Sequence, residues 1–218
     1  MRFLQTGAGR AIAALVITYC VGVVGMLLPH YRGAFALLTP VQLLLTLVLM
    51  LAYHPGISRR VVAVWALVFS LGFAVEVLGV NTGWPFGRYQ YGSVLGLALW
   101  RTPLLIGVNW LLLVYASSAV ALQALPAAWR NATAVATLVA VFMAALDALI
   151  EPVAVALGFW HWYGQPVPVQ NYAAWFVCAW VLAALHQWLT KNDTRRSPVA
   201  VWVFALQVAF FAILVLFM

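Results

Sequence analysis

Apolar residues along this chain run in long unbroken stretches separated by short polar breaks, without the alternation that marks a half-buried strand. Seven stretches stand out, at roughly 11–29, 36–53, 61–80, 103–124, 132–151, 172–190 and 198–217. Each comes close to the ~20 apolar residues that a helix needs to cross ~30 Å of hydrocarbon. Inside lipid every backbone donor and acceptor must be satisfied within the protein, so continuous runs predict helices, whereas a barrel would show short alternating segments. The pattern predicts an all-α, polytopic transmembrane helical bundle of about seven spans, with residues 1–218 forming one domain. Composition agrees: 67% of the residues are hydrophobic and 7% charged, which excludes a soluble globular domain.

The breaks differ in kind. Most are short, as at His30–Ala34, His54–Arg60, Pro126–Asn131 and Lys191–Ser197. Two are longer and rich in glycine, proline and aromatic residues, Asn81–Arg101 and Gly158–Asn171. Glycine and proline at that density predict turn-rich loops. With seven spans these loops follow the third and the fifth, so both belong to one face of the membrane.

Charge bears on orientation. The net charge of +7 comes from bases scattered through the loops rather than gathered on one face, which argues against nucleic acid as a partner. Arg2, Arg10, Arg59, Arg60, Arg130, Lys191, Arg195 and Arg196 fall on one side, and Arg32, Arg88 and Arg101 on the other. The richer side is expected in the cytoplasm. That places the N-terminus inside, the C-terminus outside, and both long loops on the non-cytoplasmic face of a multi-pass cell-membrane protein.

The four acidic residues carry most of the chemical information. Asp193 lies in a polar loop, but Glu76, Asp147 and Glu151 fall within or at the ends of apolar runs. An ionisable side chain at membrane depth costs several kcal/mol, so it persists where it pairs, lines a polar cavity or works. Asp147 and Glu151 stand at i, i+4 and share a helix face. Two carboxyl groups that close in a poorly solvated site do not comfortably both ionise, which leaves one available as a proton donor. Pro152 cannot donate to the carbonyl of Ala148, so the helix is expected to kink or end there. Two structural readings stand beside the catalytic one: an acid pair that pins helices together, and a Glu76 paired with Arg88 or Arg101.

Aromatic residues crowd the same face, among them Trp84, Phe86, Tyr89, Tyr91, Trp100, Trp160, Trp162 and Trp175. The asymmetry favours an aromatic-walled cavity over an interfacial belt, and such walls suit a long apolar ligand and a carbocation. His161 lacks companions at metal-ligand spacing, and no phosphate loop or nucleophile elbow occurs, so no metal or other cofactor is expected. Cys20 and Cys178 lie within spans, as small apolar packers.

The string from Glu76 to Tyr91, which includes Asn81-Thr82-Gly83-Trp84-Pro85-Phe86-Gly87, is long and specific. With Asp147-Ala-Leu-Ile-Glu151-Pro152, Trp160-His-Trp162-Tyr-Gly164-Gln-Pro166 and Asn171, it resembles the integral-membrane carotenoid 1,2-hydratases, a family that includes the bisanhydrobacterioruberin hydratases. The likeness spans roughly residues 70–175. It departs at Asn171-Tyr172-Ala173-Ala174-Trp175, where Asn-Phe-x-Gly-Trp is expected. The resemblance implies cofactor-free addition of water across the terminal C1=C2 bond of an acyclic carotenoid, of the lycopene, γ-carotene or bacterioruberin-precursor type; membrane lipid is the other partner expected.

The residues suit that chemistry on their own terms. Alkene hydration needs an acid still protonated at neutral pH, groups that stabilise a tertiary cation, and one held water. Asp147, Glu151 or Glu76 can supply the first. Trp84, Phe86, Tyr89, Tyr91, Trp160, Trp162 and Trp175 can supply the second, and Asn81, Thr82, Asn171 or a carboxylate the third. A lycopene-type cyclase begins with the same protonation but captures the cation internally, so a polar water pocket favours hydratase and a dry one cyclase. A prenyltransferase would need two Asp-rich clusters for its metal ions, and at most half of one is present. A retinal protein would need a lysine within a span, and Lys191 is the one lysine in the chain. A transporter could use the same three acids.

Overall fold

The computed structural model describes residues 6–164, 166–190 and 197–218. Of the residues read above, Arg2, Gln165, Lys191, Asp193, Arg195 and Arg196 lie outside the described residues. Eight α-helices form the body: α1 Gly7–Leu27, α2 Arg32–Leu37, α3 Thr39–Ala52, α4 Arg59–Thr82, α5 Leu105–Ala124, α6 Ala132–Ala156, α7 Val169–Thr190 and α8 Pro198–Phe217. Six of them, all but α2 and α3, are long and apolar enough to cross a membrane. The chain is an all-α, polytopic membrane protein.

The second expected span is broken. At 14 residues α3 rises only ~21 Å, short of the hydrocarbon thickness. It starts afresh after Leu38 with Pro40 in its first turn, where a missing N–H costs nothing. α2 and α3 nonetheless run back along the whole of α1, since Phe35 abuts Gly25 and Tyr53 abuts Gly7. Local caps set the helix starts elsewhere: Thr6, Ser58, Asn131 and Ser197 each accept a backbone N–H of the first turn.

α5 is the central post, with sixteen of its twenty residues buried, and α4, α6, α7 and α8 pack around it. A helix apolar on every side can be buried on every side, as α5 is. At one end of the bundle His54 Nδ1 bonds to the Tyr115 hydroxyl, and His186 meets the same ring edge-on, tying the end of α3 to α5 and α7.

At the other end the two long loops fold on each other. Tyr89–Tyr91 (β1) pairs antiparallel with Trp160–Trp162 (β4), in the register Tyr89 to Trp162 and Tyr91 to Trp160. A second small ladder joins Ala98–Leu99 (β2) to Thr102–Pro103 (β3). Both long loops thus do lie at one end of the bundle, but they hold strands where turns alone were expected. One further correction concerns Pro152: α6 neither stops at residue 151 nor ends at the proline but continues to Ala156. Membrane helices tolerate such a proline because neighbouring groups re-satisfy the carbonyl it frees.

Candidate active site

Glu76 lies in the last two turns of α4, and Asp147 and Glu151 in the last three turns of α6. All three are almost fully buried. They border one small cavity of about 30 Å³ together with Phe86, Tyr89, Tyr91, Asn109, Trp110, Trp160, Trp162, Asn171 and Trp175.

The strand ladder explains how loop residues reach helix acids. Side chains alternate across a strand, so Tyr89 and Tyr91 share one face of β1, and Trp160 and Trp162 share the matching face of β4. That face covers the acids, while Gln90 and His161 point away and are exposed. The Tyr89 and Tyr91 hydroxyls donate to Glu76 Oε2 at 2.5 and 2.7 Å. The Trp160 and Trp162 indoles donate to Glu151 Oε2 at 3.0 and 2.9 Å. From the helices, Trp110 donates to Glu76 Oε1 at 3.0 Å. Asn171 Nδ2 bridges Asp147 Oδ2 at 2.9 Å and Glu151 Oε1 at 3.2 Å. Trp110 also stacks on Trp175, with ring centroids 4.4 Å apart.

This accounting separates the acids. Both oxygens of Glu76 and both of Glu151 accept hydrogen bonds from protein groups. Asp147 uses Oδ2 alone; its Oδ1 is buried and accepts none. An indole N–H and an amide N–H can only donate, so Glu76 Oε1, Asp147 Oδ2 and both oxygens of Glu151 act as acceptors. Asp147 Oδ1 is thus the oxygen of the three carboxyl groups without a hydrogen-bond partner among the described residues. The Tyr89 and Tyr91 phenols, in the loop outside the spans, have pKa values raised well above the ordinary value by burial and by the neighbouring Glu76. They remain donors.

Close packing at Gly79 supports the arrangement. A Cβ there would fall 2.7 Å from the Phe86 ring and 2.9 Å from the Tyr89 hydroxyl. Glycine one turn after Glu76 is what lets β1 lie against α4.

Not every expected residue joins the site. Asn81 spends its amide on the carbonyls of Val77 and Trp100, and Thr82 bonds to the carbonyl of Leu78 and caps the following turn. Both line a separate cavity of about 300 Å³ with Arg88 and Arg101. Trp84 and Trp100 are about two-thirds exposed. Glu76 pairs with neither Arg88 nor Arg101, because Arg88 occupies the opposite strand face from Tyr89 and Tyr91. Sequence reasoning passed over Asn109 and Trp110; the available signal was a polar pair inside an otherwise apolar span. It also passed over a larger apolar cavity of about 370 Å³ that shares Ile106, Asn109 and Trp160 with the acid-lined one.

Comparison with known proteins bears on this geometry. No solved structure matches the chain. Over 139 residues it is 33% identical to a bisanhydrobacterioruberin hydratase of Haloarcula japonica, a match that covers 60% of this chain and 46% of that protein. The chain therefore spans less than half the length of that relative. A family described as carotenoid biosynthesis protein matches over residues 37–218, which takes in all three acids, both paired loops and every helix from α3 onward. On that match the chain belongs to the carotenoid biosynthesis protein family.

Proposed function

We propose that this chain is a carotenoid 1,2-hydratase, a hydro-lyase that adds water to the terminal C1=C2 bond of an acyclic carotenoid end. The observation that carries the reading is the pairing of two unequal cavities. The acid-lined one, at about 30 Å³, has about the volume of one water and offers that water several polar partners. It is too small for an isoprenoid end, which fits the adjoining apolar cavity instead. The reacting bond would then meet the acids across Asn109 and Trp160, with water held behind.

The proposed reaction starts at Asp147. Its Oδ1–H gives a proton to C2, the less substituted alkene carbon, and the π pair becomes the new C–H bond. The tertiary cation at C1 faces the π systems of Trp160 and neighbouring aromatics and the acceptor-rich carboxyls of Glu76 and Glu151. The water oxygen bonds to C1 and passes one proton to a carboxylate, from which it returns to Asp147. The net change is one water added, with no proton consumed. Every group used belongs to the chain or to water, so no metal or other cofactor is invoked. The excess of basic residues on the side opposite the paired loops supports an N-terminus in the cytoplasm and those loops outside.

A lycopene-type cyclase shares the first step. A polar pocket of water size behind the alkene favours water capture over ring closure. Expression in a lycopene-producing host tests the choice: the hydratase yields a pigment heavier by one water. A pigment of altered absorption and unchanged mass identifies a cyclase, and an unaltered profile refutes both.

A further inference from the structure

The larger cavity is walled mainly by α1, α3, α5 and α8, with Phe159 and Trp160 above it. At one end it meets the acids through Ile106, Asn109 and Trp160. At the other its rim includes Ile17 and Val21 of α1 and Val41 and Leu45 of α3, which are themselves exposed, Ile17 by 63% and Val41 by 62%. Ile17 and Val21 lie in a helix long and apolar enough to cross a membrane, and Val41 and Leu45 in the short apolar helix packed along it, so in a bilayer lipid tails rather than water would meet this mouth.

We infer that this cavity seats the chain segment next to the reacting end of a long acyclic isoprenoid, which enters end-first from the bilayer between α1 and α3 while its far end stays in lipid unread. The inference rests on the hydratase reading and adds where the substrate sits and which part of it is recognised. Three observations support it. The cavity leads to the acids at its inner end. Its lining is overwhelmingly aliphatic and aromatic, and two of its few polar side chains are tied together, Gln42 Nε2 donating to Thr18 Oγ1 at 3.1 Å and also to Thr46 Oγ1 at 3.3 Å. The surface offered to a ligand is therefore mostly apolar. Finally, at about 370 Å³ the cavity is near the low end of sites that hold drug-sized molecules. A conjugated polyene is stiff and cannot coil inside such a space, so most of a full-length carotenoid must continue out through the mouth.

Two consequences follow. Substrates with different far ends react alike at an acyclic end. A symmetric substrate is hydrated in two separate binding events, with the mono-hydrated product released between them.

The test compares lycopene with the short terpene myrcene, which carries the same terminal alkene, as substrates for the full chain in proteoliposomes. Ile17→Trp and Val41→Trp place bulk at the mouth, and Val181→Trp on a lipid-facing position of α7 outside the cavity serves as control. The mouth variants are expected to lower kcat/KM for lycopene by about tenfold or more relative to myrcene, while the control keeps the wild-type ratio. Mono-hydrated lycopene should rise and fall before the di-hydrated product accumulates. Because the measured quantity is a ratio within one preparation, a partly misfolded variant does not mimic the effect. A mouth-variant ratio within about twofold of wild type, well below the effect of even one misplaced methylene, overturns the inference, as does di-hydrated product without free mono-hydrate. Wild type that hydrates neither substrate overturns the hydratase reading itself.

Discussion

Asp147, Glu151 and Glu76 are three buried acids in one cavity, yet their hydrogen bonds make them unequal. Asp147→Asn retains an oxygen that can accept from Asn171 but has no acidic proton to give, so turnover is expected to fall at least ~100-fold. In Glu151→Gln the new NH₂ faces either the indoles of Trp160 and Trp162 or the amide of Asn171, all donors, and the site loses its packing as well as a charge. Product mass spectrometry on purified variants checks both, and a near-wild-type Asp147→Asn with a dead Glu76→Gln would transfer the donor role to Glu76. The tyrosines make a separate prediction. A raised phenol pKa favours the neutral, donating form, which then persists above the ordinary value. Hydratase activity should show no alkaline loss from these groups up to about pH 10, and Tyr89→Phe should lower the rate without moving the alkaline limb of the pH–rate profile.

The β1–β4 ladder is the element that makes the site, since it carries four of the donors that hold Glu76 and Glu151. Gly92 follows β1 directly, and its N–H donates to the carbonyl of Phe159 at 2.9 Å. A Cβ at Gly92 would fall 2.1 Å from the Gly158 carbonyl oxygen, a contact that forces the two loops apart. Gly92→Val is therefore expected to leave the helical bundle intact by circular dichroism. It should shift tryptophan fluorescence toward that of solvated indole and cost about 100-fold in activity, the loss that follows a displacement of about 1 Å in catalytic geometry. Full activity in this variant would detach the ladder from the chemistry. The strands were not legible beforehand, because three-residue strands among glycines and prolines carry too little alternation to separate from turns.

At the scale of the whole molecule, the excess of basic residues predicts an orientation. Ser93, exposed beside the ladder, and Ala128, exposed in the turn between α5 and α6, mark opposite ends of the bundle. A membrane-impermeant thiol reagent added to intact cells lacking the two native cysteines should label Ser93→Cys and spare Ala128→Cys. The opposite pattern reverses the proposed topology. In the proposed orientation the reaction takes place near the outer surface, on a substrate that never leaves the bilayer.

Long continuous apolar runs determined that the chain is a helical membrane protein, because hydrocarbon admits helices and closed barrels and a barrel strand reads as a short alternating segment. The cost of burying a carboxyl group singled out Glu76, Asp147 and Glu151, since scarcity of acid in lipid is readable without coordinates. Other features depend on which atoms meet across distant segments. A β1–β4 register decided that Tyr89, Tyr91, Trp160 and Trp162 face the acids, and that Arg88, one residue away, does not. Residues Asn81 and Thr82 looked like water ligands by type, but the Asn81 amide N–H groups and the Thr82 hydroxyl bond to nearby backbone carbonyls and both residues line a separate cavity, a placement visible only once α4 and its following turn are folded. The break near Leu38, which shortens α3, lies in an apolar run that reads as one continuous span. Run length records how much apolar chain there is; packing decides where it stops touching itself.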